Sequence, residues 1–374
     1  MMTRTVSRAL LLLTFGFVGC AAAVPPAPAP TPSGDIRPGA TPAPTAVALG
    51  QLERGQALLA GGETAAAATA LREALRLQPD LVSARAALGL ALYGLGDLDA
   101  AVEELRAAVR RQPDAVDVRL ALAKVLVARQ EWPVAREELE RVLAAQPERL
   151  DAWYALGVVR YAQGDVAGAI EAYRRVLAAD PRQHDARYSL ALVLKLARRE
   201  AEATPEFIAA AEAGHARAQY FAGTAFAAGL GVERSLATAI GWWFRAAEQG
   251  VPLAADALVQ LRQAALGRGR ASAAPQRQAA EQAFTEYRAM LRKDFPELGA
   301  TGDEPIGAAL LREGRAREAV TILIREASAL SQPAQRLLET LYEQGVDGQL
   351  PAHDARILAY LKDAAAEGLR PPLR

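Results

Sequence analysis

The stretch LDAWYALGVVRYAQGDVAGAIEAYRRVLAADPRQ, residues 150–183, decides the fold, because its pattern recurs along the chain at a fixed interval. Pro181, near its end, is the last of four prolines that follow one another every 34 residues. The other three are Pro79, Pro113 and Pro147. A constant step of this length is typical of a stacked array of short helical repeats.

Small residues keep the same step of 34 in two columns. The first column consists of Gly55, Gly89, Ala123, Gly157 and Ala191, and the second of Ala67, Ala101, Ala135, Ala169 and Ala203. A turn position recurs as Gly62, Gly96, Gln130, Gly164 and Arg198. Small side chains let two helices approach closely, a turn residue ends the first helix, and proline cannot continue the second. The pattern predicts helix pairs that stack to bury one continuous apolar core.

On these residues the chain resembles the tetratricopeptide repeat. Residues 150–183 match it best, through Trp153, Leu156-Gly157, Ala169, Tyr173 and Pro181, although Arg160 stands where the pattern has tyrosine. Five repeats are readable between residues 48 and 217: 48–81, 82–115, 116–149, 150–183 and 184–217. The resemblance implies an all-α fold, a right-handed solenoid of antiparallel helix pairs.

A second kind of repeat is expected after the fifth. Residues 218–262 resemble the Sel-like repeat, a longer relative of the same helix pair, through Gly229-Leu230-Gly231-Val232 and Trp242-Trp243. Residues 300–374 resemble a degenerate tetratricopeptide repeat around Ile306-Gly307, followed by a second Sel-like copy.

Residues 263–299 connect these two parts of the chain. Gly, Arg, Ala and Ser are abundant over 263–278, which predicts a mobile joint. Residues 277–293 then predict one amphipathic helix that caps or crosses the array. Its apolar positions, at spacings of four, three and four, are Ala280, Phe284, Tyr287 and Leu291.

The first nineteen residues have the charge, length and order of a signal peptide, with Arg4 and Arg8 ahead of an apolar run. The sequence Phe17-Val18-Gly19-Cys20 resembles the lipobox of bacterial lipoproteins, which implies lipidation of Cys20. By resemblance to the sorting pattern of these lipoproteins, Ala21 after the cysteine implies an outer-membrane lipoprotein that faces the periplasm. An ordinary secretory signal, cleaved after a residue such as Ala23, is the alternative.

Residues 20–47 are rich in Pro and Ala and predict an extended tether between the lipid and the repeats. A proline-rich motif that binds a partner is the competing interpretation.

Composition narrows the possible functions. The chain has 43 Lys and Arg against 43 Asp and Glu, and this balance argues against a nucleic-acid partner. One cysteine allows no intramolecular disulfide and no thiolate metal cluster. No phosphate loop, zinc motif or nucleophile elbow is present, so we expect no enzyme, no cofactor, no metal site and no small-molecule substrate.

Two other groups of residues have a catalytic or ligand-binding alternative. Glu103-Glu104 and Glu137-Glu138 could act as general acid and base, but their 34-residue step favours an exposed face near helix N-termini. Trp242 and Trp243 could stack on a ligand, or even mark an unrecognised enzyme, but packing between helices is favoured.

In the tetratricopeptide family the first helix of each repeat lines a concave groove. This resemblance, combined with the period, places tyrosines, lysines and a column of aspartates in that groove. They are Tyr93, Tyr154, Tyr161, Tyr188, Lys124, Lys195, Asp117, Asp151 and Asp185. A tyrosine-lined groove suits an extended or helical peptide. The alternative is that the tyrosines pack between repeats and the aspartates cap helices.

The sequence therefore predicts a non-enzymatic scaffold of the bacterial cell envelope that binds a protein or peptide. Lipoproteins of this kind take part in the assembly of outer-membrane proteins, pili or secretion systems, or in polysaccharide export. A peptidoglycan-associated module that regulates cell-wall enzymes is the second hypothesis.

Overall fold

The computed structural model describes residues 44–268, 273–298 and 304–370. Its α-helices are, in chain order, α1 Pro44–Ala60, α2 Thr64–Leu77, α3 Val82–Gly94, α4 Leu98–Arg111, α5 Val116–Ala128, α6 Trp132–Ala145, α7 Leu150–Ala162, α8 Val166–Ala179, α9 His184–Leu196, α10 Glu200–Glu212, α11 Ala216–Ala228, α12 Leu236–Glu248, α13 Pro252–Ala265, α14 Ala274–Lys293, α15 Ile306–Arg312, α16 Ala316–Ser328, α17 Gln332–Gln344 and α18 Ala355–Ala366. A 3-10 helix spans Pro296–Leu298. Within the described ranges the only β pairing is an isolated bridge between Val346 and Leu350. The expected all-α repeat solenoid is confirmed.

The chain divides into two compact units, and the boundary in the sequence lies between Ala197 and Arg198. The N-terminal unit contains α1 to α9 and the C-terminal unit α10 to α18. The boundary falls inside the fifth predicted repeat, 184–217, at the turn between its two helices.

In the N-terminal unit each helix packs against the next one in sequence. Alternate helices also touch: α1 contacts α3, α3 contacts α5, and α5 contacts α7. The helices therefore form two layers, one of first helices (α1, α3, α5, α7, α9) and one of second helices (α2, α4, α6, α8). Helix α1 begins at Pro44, four residues inside the predicted tether, because proline is well suited to the first position of a helix.

The first column of small residues is where the two helices of a pair come closest. A Cβ added to Gly89 would lie 2.6 Å from Leu105 Cγ, and one added to Gly157 would lie 2.7 Å from the Tyr173 ring. Leu105 and Tyr173 are completely buried. A large side chain on the second helix therefore fills the space that a missing side chain leaves on the first.

A hydrogen bond that sequence analysis did not anticipate recurs with the same step of 34. In α3, α5, α7 and α9 the residue three places after the start of the helix donates to the carbonyl of the preceding loop proline. The bonds join Arg85 to Pro79 at 3.0 Å, Arg119 to Pro113 at 2.8 Å, Trp153 to Pro147 at 2.7 Å and Arg187 to Pro181 at 3.0 Å. These bonds satisfy carbonyls that no helix uses, and they hold the loop against the helix that follows.

The C-terminal unit has its main apolar core where α12, α13 and α14 meet. Trp243, Phe244, Phe284 and Tyr287 are buried there. The predicted amphipathic helix is confirmed, but it begins at Ala274, and α13 extends to Ala265. The expected joint at 263–278 is therefore partly helical, because its Ala-rich ends propagate the flanking helices.

Helix α15 has only seven residues, so its pair with α16 is incomplete at the start. Gly307 of α15 still meets Leu323 of α16 as closely as Gly89 meets Leu105. The residues that pack beside the shortened helix are Leu291, Phe295 and Leu298.

Candidate functional site

We define the first-helix face by four positions that recur on the first helices of the N-terminal unit. On α1 they are Leu49, Leu52, Gln56 and Leu59; on α3, Ser83, Ala86, Leu90 and Tyr93; on α5, Asp117, Leu120, Lys124 and Val127; on α7, Asp151, Tyr154, Val158 and Tyr161; and on α9, Asp185, Tyr188, Leu192 and Lys195. All nine residues that we predicted for the groove belong to this set.

The four predicted tyrosines differ in how much surface they offer. Tyr161 is 7% exposed and Tyr188 is 5% exposed, whereas Tyr93 and Tyr154 are half-buried. The Tyr154 hydroxyl lies 3.4 Å from Ser189 Oγ, and its ring lies 5.7 Å from the Tyr173 ring. Burial raises the pKa of Tyr154, and the charge of Asp185 raises it further. Tyr161 and Tyr188 mainly contribute to packing, as the alternative interpretation had it, and this leaves Tyr93 and Tyr154 to offer contact area.

The charged residues of α5 and α7 form one network with a loop arginine. Arg149, just before α7, contacts Asp117 at 2.8 Å and Asp151 at 3.0 Å. Lys124 Nζ lies 3.1 Å from the other carboxylate oxygen of Asp151. Burial acts to raise the pKa of Asp151, but Lys124 and Arg149 outweigh burial and lower it. The network brings together three of the predicted groove residues and adds Arg149, which the period had not marked.

The alternative interpretation held that the aspartate column caps helices, and the structure does not support it. The N-cap residues of α5, α7 and α9 are Ala115, Arg149 and Gln183, and none of them makes a side-chain cap bond. Asp117, Asp151 and Asp185 lie in the first turns, where a negative charge is favourable near the helix N-terminus. Lys195 lies in the last turn of α9, where a positive charge is favourable.

The start of the face is apolar and open to solvent. Leu49 is 44% exposed and Leu90 is 39% exposed. Leu90 occupies the position that Lys124 occupies on α5. Sequence analysis missed these two leucines because it searched the face for aromatic and charged residues.

Glu103 and Glu137 are exposed, as predicted, but Glu104 is half-buried and Glu138 is buried, so the predicted exposure holds for only one glutamate of each pair. Glu104 lies in the middle of α4 and accepts a hydrogen bond from Arg85 at 2.8 Å. Glu138 is buried and pairs with Arg119 and Arg141. Glu104 and Glu138, which are 34 residues apart, each pair with an arginine of the first helix, and this is a structural role.

Trp242 and Trp243 are both buried, which agrees with packing between helices. A Cβ on Gly223 of α11 would lie 2.6 Å from the Trp243 ring. The guanidinium of Arg245 lies 4.8 Å from the centre of the Trp242 ring.

Two further features concern the described residues alone. None of the described helices has the length and apolar character needed to cross a bilayer. No cluster of three or more His, Cys, Asp or Glu side chains within residues 44–268, 273–298 and 304–370 is arranged to hold a metal ion. Cys20 and the predicted signal peptide lie outside the described residues.

The profile of the tetratricopeptide repeat family matches residues 52–116, 120–184 and 160–214. This chain contains tetratricopeptide repeats. They coincide with the helix pairs of the N-terminal unit and with the start of the C-terminal unit. Such repeats are protein-interaction modules, which agrees with the coarser part of the predicted function. No curated protein matches the chain.

Several solved structures are similar to part of this chain, and the likeness to the first of them supports the fold. The pilF protein of Pseudomonas aeruginosa is 20% identical and has a TM-score of 0.50, over 58% of this chain and 99% of that one. MamA from Desulfovibrio magneticus RS-1 is 23% identical and has a TM-score of 0.42, over 44% of this chain and 94% of that one. YrrB is described as a tetratricopeptide repeat protein with an unusual peptide-binding site. It is 19% identical and has a TM-score of 0.40, over 44% of this chain and 86% of that one.

Proposed function

We propose that this protein is a non-enzymatic scaffold of the bacterial cell envelope that binds a segment of a partner protein on its first-helix face. The observation that carries the proposal is the pair of exposed leucines on the first-helix face, Leu49 and Leu90. The partner belongs to an assembly in the outer membrane, in a pilus or secretion system, or in polysaccharide export.

The envelope part of the proposal is supported by residues 1–20 of the sequence. Acyl chains on Cys20 would hold the protein at the bilayer, because each buried CH₂ contributes about 0.8 kcal/mol and stable anchoring takes more than one chain. The Pro/Ala-rich segment before α1 would separate the helices from the membrane surface.

Site-specific photocrosslinking in cells tests the binding part. A photoreactive residue at position 90 is expected to capture one partner, whereas the same residue at position 72, on the exposed side of α2, captures none. Equal capture from both positions, or none from position 90, would refute binding on this face.

Membrane fractionation tests the anchor. Mass spectrometry is expected to find the mature chain beginning at an acylated Cys20, and Cys20→Ala is expected to release the protein from the membrane fraction. An unmodified mature start beyond residue 20 would remove the anchor from the proposal and leave the binding face untouched.

A further inference from the structure

We infer that the first-helix face selects an uncharged partner segment with large apolar side chains, which docks on the part of the face formed by α1 and α3. The inference rests on the proposed function and specifies the chemistry of the partner. It stands on two observations, the open apolar start of the face and the mutual pairing of the charges that follow.

The positions of the face on α1 and α3 carry no charged residue. They consist of Leu49, Leu52, Gln56, Leu59, Ser83, Ala86, Leu90 and Tyr93. Leu49 and Leu90 are exposed, and Leu59 and Tyr93 are half-buried, so a partner can reach apolar surface on both helices. Exposed leucines in the middle of a helix face gain most from a partner that removes them from water.

The polar residues at equivalent positions show that the fold does not require leucine there. Gln56 of α1 and Lys124 of α5 occupy the position of Leu90. Asp117 and Asp151 occupy the position of Leu49, and the helices that carry them pack in the same way. Packing of the core therefore does not require leucine at residues 49 and 90, and both side chains belong to the surface.

The charges on α5 and α7 are already paired with one another. Asp151 contacts both Lys124 at 3.1 Å and Arg149 at 3.0 Å, while Arg149 also contacts Asp117 at 2.8 Å. A charged partner side chain must compete with these existing, partly exposed ion pairs, and an ion pair of this kind contributes little. Beneath the network the face is apolar, with Leu120 and Val158 buried.

The spacing of the two leucines suggests the spacing in the partner. Helices α1 and α3 are in contact, which places their axes about 10 Å apart. The two positions differ by seven residues within the repeat, which adds ~10 Å along the helix axis. The leucines are then roughly 15 Å apart, a distance that an extended segment covers in four to five residues.

Fluorescence anisotropy with three synthetic peptides tests the inference on the full chain in detergent. The first peptide, with blocked ends, carries leucine at every fourth position of a Ser/Gln background; the second and third carry lysine or glutamate in place of leucine. Only the leucine peptide is expected to bind, with an affinity that changes less than about twofold between low and high salt, because no exposed ion pair forms.

Two matched variants assign the contact. Leu90→Ser is expected to weaken binding of the leucine peptide by about tenfold, as expected for loss of a buried leucine contact. Leu95→Ser removes a 48% exposed leucine from the end of the same helix, outside the face, and is expected to leave binding unchanged. Circular dichroism of both variants verifies the helical fold.

The possible results separate this inference from the proposed function. Binding of a lysine or glutamate peptide with steep salt dependence, or an equal effect of both variants, would show that the face binds by charge or elsewhere, and would overturn the inference. Absence of binding by all three peptides would overturn it as well. Crosslinking from position 90 would still decide whether the face binds a partner.

Discussion

At the scale of single residues, Gln130 shows how the repeat tolerates an imperfect sequence. It ends the turn between α5 and α6 with a φ of 62°, in the left-handed region that glycine fills in the equivalent turns at Gly96 and Gly164. A side chain in that region costs roughly 1–2 kcal/mol. The helix pair forms nevertheless, because packing of its apolar faces outweighs this local strain.

Gln130→Gly is expected to stabilise the N-terminal unit by about 0.5–1 kcal/mol. The relieved strain exceeds the extra chain entropy of glycine, and the Gln130 side chain is exposed, so little packing is lost. Urea unfolding followed by circular dichroism measures the change. Gln112→Gly, at a residue with a φ of −133°, is the control and should lower stability. Equal effects of the two changes would contradict the explanation.

Glu326 is a buried acid that caps a helix other than its own. Its carboxylate accepts hydrogen bonds from the backbone amides of Ile306 at 2.9 Å and Gly307 at 3.2 Å, at the start of the shortened α15. Burial raises its pKa, although these amides and Arg292 and Arg288 act in the opposite direction. The acid occupies the position of alanine in the complete pairs, such as Ala108.

The raised pKa of Glu326 predicts a pH dependence of stability. A protonated Glu326 gives its full contribution below the unfolded pKa of about 4.3, and part of this contribution is lost as the pH rises through the folded pKa. Glu326→Gln is therefore expected to gain stability relative to wild type as the pH rises above about 4.3. Urea unfolding at several pH values measures this. Glu318→Gln, on the exposed side of α16, is the control, and a constant difference for Glu326→Gln would refute the prediction.

At the scale of helices, the close approach within each pair depends on the first small-residue column. Gly89 faces Leu105 at a distance that leaves no room for a Cβ, whereas Gly50 of α1 has nothing within 4 Å. The next pair has Ala123 in the same column, so a methyl group there can be accommodated by a shift of the facing side chain.

The same substitution is expected to have opposite effects at these two glycines. Gly89→Ala should lose about 1 kcal/mol, because overpacking costs roughly 1–3 kcal/mol and exceeds the gain in helix propensity. Gly50→Ala should gain about 0.5–1 kcal/mol from propensity alone. Urea unfolding of both variants measures the two changes in the free energy of unfolding. A gain in stability for Gly89→Ala would show that the helices are not in close contact there.

At the scale of the whole molecule, a contact between distant parts of the chain joins the end of α13 to the end of α18 in the described residues of the C-terminal unit. Arg262 near the end of α13 makes two hydrogen bonds, of 2.7 and 2.6 Å, to the Glu367 carboxylate just after α18. Gln263 and Arg268 donate to the backbone carbonyl of Glu367. The side chains of the Arg262–Glu367 pair are only 9% and 15% exposed.

Glu367→Ala is expected to destabilise the C-terminal unit by about 2–3 kcal/mol, because it leaves Arg262 nearly buried without a partner. Hydrogen exchange should accelerate in α17 and α18. Glu339→Ala breaks the more exposed pair with Arg370 and should cost about 0–1 kcal/mol. An equally small effect of Glu367→Ala would mean that the contact does not hold the C-terminal helix in place.

The sequence by itself determined the helix pairs, their 34-residue step and their tightest contacts. Gly89 and Gly157 belong to a column of small residues that is required where two helices close in sequence pack together. Because every pair packs in the same way, small residues recur every 34 residues. The same period placed the predicted groove residues on one face. It could not say which of them are accessible.

Only the tertiary structure decided which residues of the face are available. Tyr161 and Tyr188 are buried while Leu49 and Leu90 are exposed, and Asp151 is paired with a lysine of the preceding pair and with the arginine at the start of its own helix. The physical reason is that exposure depends on how each helix is rotated and on side chains from neighbouring pairs. Neither the rotation of a helix nor the contacts from neighbouring pairs can be predicted from the spacing of residues along a single repeat.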